Sequence, residues 1–421
     1  MASTEWRAHA AALADTIVAE ERVTDPGWAR VFAAVPRHVF IPRFFHRDTT
    51  GTLVAIDGSD PARRAQWLEA VYSDTALTTQ LGQIDPGNTL LPLTISASSS
   101  TKPSLMARML TDLRARPGDR VLEIGTGTGY NAALLCHQLG DQSIFSLDIH
   151  PGLLTTARTR LASLGYHPHL ACLDGAEGWA AHAPYDRIIA TCGPSTIPYP
   201  WVAHTRPGGL ILTEALAGRG GMLVRLTVAD DGTAHGHFLD YPGLFMTLRH
   251  TPDRIPRPTE LPPEHLHGAR HTHTPLDPTV LADPAFVFFC QLHLGTGRSN
   301  HHLINNTTKA TVVAHDGSWA ETTTNEREPQ GFLVTYDGTH NPWDTIETAH
   351  HTWTRLGQPP PSALGLTVTP HQQHVWCHHP DSDWTHPLDL TTTPTPCAPG
   401  RDKAPYHGLG AAGAGSVGPA P

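Results

Sequence analysis

The stretch Arg120-Val-Leu-Glu-Ile-Gly-Thr-Gly-Thr-Gly-Tyr130 decides the fold, because an apolar run breaks into alternating glycines and then resumes as a helical pattern. That order reads as a strand, a tight turn and a helix start. Gly125, Gly127 and Gly129 allow backbone angles that a Cβ forbids and let a ligand lie on the main chain. Glu123 supplies a carboxylate at the strand end, with Thr126 between the first two glycines. Tyr130 stands where the dinucleotide fingerprint needs its third glycine, so the spacing is G-x-G-x-G, and no Gly-Lys-Ser/Thr follows to make a P-loop. What remains is the adenosine-methionine version of the doubly wound fold, whose ligand carries a sulfonium and an amino group instead of a pyrophosphate.

Outward from this turn the core continues in alternation. Asn131 to Leu139 reads as a helix, and Ser143 to Asp148 as a buried strand whose terminal acid, about twenty residues past the glycines, suits a ribose hydroxyl pair. Leu153 to Leu164 is the next helix. His169 to Leu173 is a short strand ending in Asp174-Gly175, a third strand end placed to reach an adenine. Asp186 to Thr191 and the segment after Pro207-Gly208-Gly209 read as further strands, and residues 224–239 as a terminal hairpin around Asp230-Asp231-Gly232. Three carboxylates at successive strand ends, Glu123, Asp148 and Asp174, define a ligand crevice.

Before the turn, residues 5–22 carry apolar residues at helical spacing, and Asp25-Pro26-Gly27 restarts a helix through Val35. The prolines of Val35-Pro-Arg-His-Val-Phe-Ile-Pro42 bias the residues preceding them toward extended geometry. Asp48 to Pro92 reads as a partly irregular cover. Thr94 to Ser104 reads as a hydroxyl-rich loop leading into a helix from Leu105 to Leu113. So many hydroxyls exceed what capping requires, and with backbone N–H groups at a helix start they make a site for a carboxylate.

Composition limits the function classes. A chain of 421 residues accommodates two or three domains, and a formal charge of -10 with a pI near 6.3 excludes an electrostatic grip on nucleic acid or anionic membrane. The six cysteines lack any C-x-x-C pair, which implies reduced thiols and a cytoplasmic setting. The 29 histidines come without a ligand set, so no metal is expected. No run is long and apolar enough to span a bilayer.

The region from about 28 to 250 resembles the protein-L-isoaspartate O-methyltransferases. The resemblance is carried by Val35 to Pro42, Thr94-Ile95-Ser96, Glu123 to Tyr130, Asp174-Gly175, Tyr185 to Thr191, Arg206-Pro-Gly-Gly209 and Phe245-Met-Thr-Leu248. It implies a Rossmann-like α/β class I methyltransferase core that uses S-adenosyl-L-methionine to methylate a peptide carboxylate. By matching, Ser96 is the catalytic serine, with Thr94, Ser96 and Ser100 toward the substrate. Ser98, Ser99, Glu123, Gly125, Thr126, Gly127, Gly129, Asp148, Asp174 and Gly175 take the cofactor. The family's Pro-His after Thr-Ile-Ser-Ala is replaced here by Ser98 to Ser104, and the chain is longer. Both features look like the branch that tailors ribosomally made peptides, methylating an aspartate that closes to aspartimide. Generic repair of isoaspartyl proteins is the nearest alternative, and a non-catalytic cofactor-binding partner the more distant one.

The expected organisation is a cover over 1–93, the methyltransferase core over 94–250, a Pro/His-rich linker over 251–275, an accessory α+β domain over 276–394 that recognises the peptide, and a disordered tail over 395–421. In the accessory region Ala285 to Leu294, Ala310 to His315, Gly331 to Tyr336 and Leu364 to Thr369 read as strands, and Trp343 to Leu356 as an amphipathic helix.

Overall fold

The computed structural model describes residues 5–19, 26–84, 93–216, 221–252, 269–295, 298–304, 307–314 and 316–388. The expected tail lies outside them. In chain order the N-terminal part comprises α1 Glu5–Ala19, α2 Pro26–Ala34, α3 Arg37–Phe40, β1 Arg43–Arg47, β2 Leu53–Asp57, α4 Arg64–Val71, β3 Leu77–Ile84, β4 Leu93–Ser100 and α5 Pro103–Leu113. The central part comprises β5 Val121–Ile124, α6 Tyr130–Leu139, β6 Ile144–Asp148, α7 Pro151–Ser163, β7 His169–Cys172, β8 Tyr185–Ala190, α8 Tyr199–Ala203, β9 Thr205–Ala215, β10 Met222–Val228 and β11 Ala234–Phe238. The remainder comprises β12 Arg270–Thr274, α9 Pro284–Leu294, β13 Arg298–Ile304, β14 Thr307–Val313, β15 Trp319–Glu328, β16 Gly331–Asp337, α10 Trp343–Arg355, β17 Leu364–Val368, β18 Gln373–Cys377 and β19 Thr385–Leu388.

The doubly wound core forms as expected. Strands β7, β6, β5, β8 and β9 run parallel, with β5 between β6 and β8, so the strand order reverses at β5. In open α/β sheets that reversal leaves a crevice beyond the carboxyl ends of the strands, where ligands bind. Strands β5 and β6 are buried on both faces, as expected for parallel strands covered by helices on each side.

Between the prolines of residues 35–42 the chain forms α3, with Pro36 just before the helix, where its missing N–H is not needed. Three sequence expectations differ from the structure. The irregular cover is an antiparallel sheet of order β2-β1-β3-β4, and the hydroxyl-rich loop is largely its edge strand β4, paired with β3 from Leu77↔Ser100 to Ile84↔Leu93. Finally, Ala285 to Leu294 is helical. A continuous apolar run has no diagnostic period, and the missed signal is Asp283-Pro284: Asp283 accepts from the N–H groups of Ala285 at 2.8 Å and Phe286 at 3.3 Å.

The hairpin β10–β11 is not the end of the sheet. Strand β17 pairs with β11, and β18 and β19 continue the antiparallel run, giving a sheet of ten strands. Strand β12, in the segment expected as linker, pairs with β16 in a separate five-stranded antiparallel sheet. Residues 1–390 form one compact unit. One apolar core runs through Ile188, Leu226 and Phe238 into Phe286, Phe288, Ile346 and Leu366, with the Phe238 and Phe288 rings 4.8 Å apart. The buried Gln373 amide closes the junction by exchanging hydrogen bonds with both backbone groups of Ile197, at 3.0 and 2.6 Å.

A chain ending at residue 250 would open the β11 edge and expose this shared core. It is expected to aggregate or lose its cooperative thermal transition by calorimetry. A soluble, cooperatively unfolding fragment would show instead that the C-terminal strands are separable.

Candidate active site

A cavity of about 550 Å³ lies at the strand-order reversal, within the size range of small-molecule sites. Its floor is the glycine turn. Gly125, Gly127 and Gly129 have φ of 96°, 51° and 88°, so all three use the left-handed region that other residues avoid. The turn is tied from behind to β6: the N–H groups of Gly125 and Thr126 both donate to Leu147 O at 2.8 Å, and that of Gly127 donates to Asp148 Oδ2 at 2.8 Å. A methyl group placed on Gly127 would stand 3.8 Å from Ser98 Oγ and 4.0 Å from Ser99 O. The end of β4 therefore faces the turn across the cavity.

The cavity wall gathers Ser98, Ser99 and Ser100 with Gly125, Thr126, Gly127, Asp148 and Gly175. The other expected residues stand behind it. Ser96, expected at the reacting centre, is half-buried and off the wall, its hydroxyl 3.4 Å from Ser98 O. Because this segment is a strand and not a loop, Ser96 sits about 7 Å back along it from Ser98. Thr94 lies further back, opposite Gln83, and its side chain is outside the described part. Gly129 begins α6, where a Cβ would come within 3.1 Å of Ala157 Cβ, so it serves helix packing. Asp174 turns away: Oδ1 caps the following turn through Ala176 N–H at 2.9 Å, and Oδ2 meets His250 Nδ1 at 2.9 Å. Its neighbour Gly175 reaches the wall and admits no side chain, since a Cβ there would meet Ile124 Cγ2 at 2.6 Å.

Glu123 stands back from the surface of the cavity. It is fully buried beneath the turn and off the wall, accepting from Asn131 Nδ2 at 2.7 Å and from the Ser146 hydroxyl, which is itself 2.6 Å from Thr126 Oγ1. Burial pushes its carboxyl up to about 7, against the opposing pull of the two hydrogen bonds and with help from nearby Asp148.

Sequence reasoning missed the rest of the wall. Asn131, at the start of α6, was within reach of the strand-turn-helix argument. Lys102 and Asp74 also line the cavity, their charges 3.2 Å apart, with Asp74 accepting the Ser104 N–H at 2.8 Å. Residues 243–249 close one side without any periodic signal. They are held by Gly193, through Gly193 N–H to Met246 O at 2.9 Å and Leu248 N–H to Gly193 O at 2.8 Å, and by Arg249 Nη2 donating to Ala97 O at 3.0 Å. The buried Glu214 carboxylate, raised to about 7 by desolvation, takes the N–H groups of Leu244 at 3.0 Å and Phe245 at 2.8 Å, and Leu244 itself is 79 % exposed with φ of 53°.

The family model for protein-L-isoaspartate(D-aspartate) O-methyltransferase matches residues 61–236. A protein-L-isoaspartate O-methyltransferase of Salinibacter ruber is 33% identical over 210 residues, covering 48% of this chain and 74% of its own length. The chain belongs to this family. Another member, from Methylorubrum extorquens, is 40% identical over 141 residues, covering 34% of this chain and 60% of that relative. A solved protein-L-isoaspartate O-methyltransferase aligns over 88% of this chain and 99% of its own at 19% identity, with a TM-score of 0.46. The protein is accordingly a carboxyl methyltransferase of this family, with S-adenosylmethionine as cofactor. The cavity fits that molecule: the turn offers bare backbone, Gly175 leaves flat space at the next strand end, and the wall holds a carboxylate at Asp148. Among the described residues no helix is long and apolar enough to cross a membrane.

Two outcomes follow. Asp148→Ala should weaken S-adenosylmethionine binding by roughly ten- to a hundred-fold, the loss expected for hydrogen bonds to a charged acceptor; unchanged affinity by calorimetry would remove Asp148 from the cofactor site. Glu123 has a folded pKa near 7, above the usual 4.5, so its stabilising contribution is complete below the unfolded pKa and is lost as pH rises from about 4.5 through 7. Glu123→Gln should flatten that slope, gaining on the order of 3 kcal/mol at pH 8 relative to pH 4. Parallel pH–stability curves of the two proteins in denaturant titrations would contradict it.

Proposed function

We propose that the protein methylates an aspartate side chain of a ribosomally made, modified peptide, giving a methyl ester that closes to aspartimide. The observation that carries this reading is the wall opposite the glycine turn, where Ser98, Ser99 and Ser100 replace the family's usual continuation and are joined by Lys102. S-adenosylmethionine, when bound, supplies an electrophilic methyl group. The chain's own part is to hold and orient. Asp148 faces the ribose, the Gly125–Gly127 backbone accepts close approach, and Gly175 leaves room for the adenine.

The hydroxyls of Ser98 to Ser100 donate to the substrate carboxylate and fix its approach, and orientation of this kind contributes on the order of 7 kcal/mol or more. Such a carboxylate is already ionised at neutral pH, so no side chain need serve as general base. Lys102, paired with Asp74 at 3.2 Å, adds an ammonium at the same wall that the substrate anion shares. After methylation, the amide nitrogen of the following residue attacks the ester carbonyl, loses its proton and expels methanol to give the cyclic imide. No protein group is required for that step. We assign residues 276–394 a part in recognising the rest of the peptide.

The second reading, repair of isoaspartyl proteins, is favoured by the family membership and by the relatives' own names. Methyl incorporation from labelled cofactor separates the two. Tailoring predicts good turnover of one constrained aspartyl peptide and little of short isoaspartyl peptides; efficient methylation of many isoaspartyl peptides would establish repair instead. Under either reading Lys102→Gln is expected to raise KM several-fold at low salt with a smaller change in kcat, and the difference should shrink as ionic strength rises. An unchanged KM would remove Lys102 from substrate binding.

A further inference from the structure

The network beneath the glycine turn is complete except at one atom. Asn131 is 8% exposed, lines the cavity and donates Nδ2 to Glu123 Oε1 at 2.7 Å, yet its Oδ1 is buried without a partner. The orientation of the amide follows from its neighbour. The NH₂ faces Glu123 Oε1, and the carbonyl faces away from it. The second Glu123 oxygen is occupied by the Ser146 hydroxyl, in contact with Thr126 Oγ1 at 2.6 Å. Within this set of Glu123, Ser146, Thr126 and Asn131 only the Asn131 carbonyl is left over, and beside it the Tyr130 hydroxyl is likewise buried without a hydrogen-bond partner among the described residues.

A buried acceptor without a donor is costly, and native proteins leave few that no water, ion or ligand completes. The cofactor carries three kinds of donor: ribose hydroxyls, an adenine amine and the ammonium of its methionine end. Asp148 and Gly175 stand at the next two strand ends and suit the first two. The third must lie nearest β5 and the start of α6, where Asn131 sits. An ammonium there also favours the ionised form of Glu123, which lies one hydrogen bond further in.

We propose that Asn131 Oδ1 accepts a hydrogen bond from the α-ammonium of S-adenosylmethionine, with Glu123 as the positioning residue that fixes the amide and supplies the opposing charge. This rests on the cavity being the cofactor site. It also gives Glu123 its part in cofactor binding without contact.

Calorimetric titration of the full-length protein tests it with S-adenosylhomocysteine, its analogue lacking the amino group, and 5′-methylthioadenosine, which lacks the whole amino-acid end. Wild type should bind the deaminated analogue at least about tenfold more weakly than S-adenosylhomocysteine. Asn131→Leu should lose a similar factor toward S-adenosylhomocysteine and none toward 5′-methylthioadenosine. Glu123→Gln should show the same selectivity at smaller size. Equal binding of the deaminated analogue by wild type overturns the inference without any variant, as does an equal loss toward both nucleosides in Asn131→Leu. Failure of wild type to bind any of the three overturns the cofactor assignment and this inference with it.

Discussion

A buried carboxylate holds the centre of this molecule. Glu123 has no solvent around it, and its oxygens are filled by Asn131 and Ser146, one from the helix after the glycine turn and one from the neighbouring strand. Those bonds join β5, β6 and α6 at the point where the chain makes three left-handed turns in succession. Its three glycines have no side chains to hold it, so much of its position comes from elsewhere. It comes from β6, whose Leu147 carbonyl and Asp148 carboxylate receive successive turn amides. The turn is thus pinned from behind and bare in front. A negative group in a poorly solvated place also favours a cation above the floor, which suits a sulfonium ligand.

A second buried charge organises the other wall. Arg37 is fully buried and donates to the carbonyls of Val71, Ser73, Thr75 and Thr101 at 2.8 to 3.2 Å, with Ser100 Oγ at 3.4 Å. Burial lowers its pKa to about 10, which still leaves it charged at neutral pH. One side chain thereby collects the end of α4, the turn before β3 and the end of β4, and so fixes the serine strand against the turn. Removing it would leave several buried carbonyls without donors, a cost larger than the loss of any one bond.

The core was legible because its strands and helices keep clean periods, and the glycine spacing located the turn on the cavity floor to the residue. Which acids face the cavity was not legible. Asp148 is the last residue of its strand and reaches the wall, whereas Glu123 lies one residue before the end of β5 and Asp174 is spent on capping a turn. Sequence position gives the strand end but not the direction in which a side chain leaves it. The serine segment failed differently: hydroxyl-rich composition suggests a loop, yet pairing with β3 makes it a strand and sets Ser96 behind Ser98. Helix α9 was hidden by an apolar run too continuous for any period to show. Residues 243–249 reach the site through tertiary bonds to Gly193, Glu214 and Ala97, which no local pattern encodes.

The position of the C-terminal strands limits what they can do for catalysis. Strand β17 is five places from β5 in the sheet, by way of β8, β9, β10 and β11. At the usual strand spacing that is about 24 Å from the glycine turn. A peptide touching both must span about seven extended residues. A short isoaspartyl peptide held at Ser98 to Ser100 would not reach β17, while a longer precursor would. Any selectivity from this region must then appear as a dependence on substrate length, with the chemistry at the serine wall unchanged. That separation allows the same core to serve either a repair or a tailoring role, the difference lying in contacts remote from the reacting carboxylate.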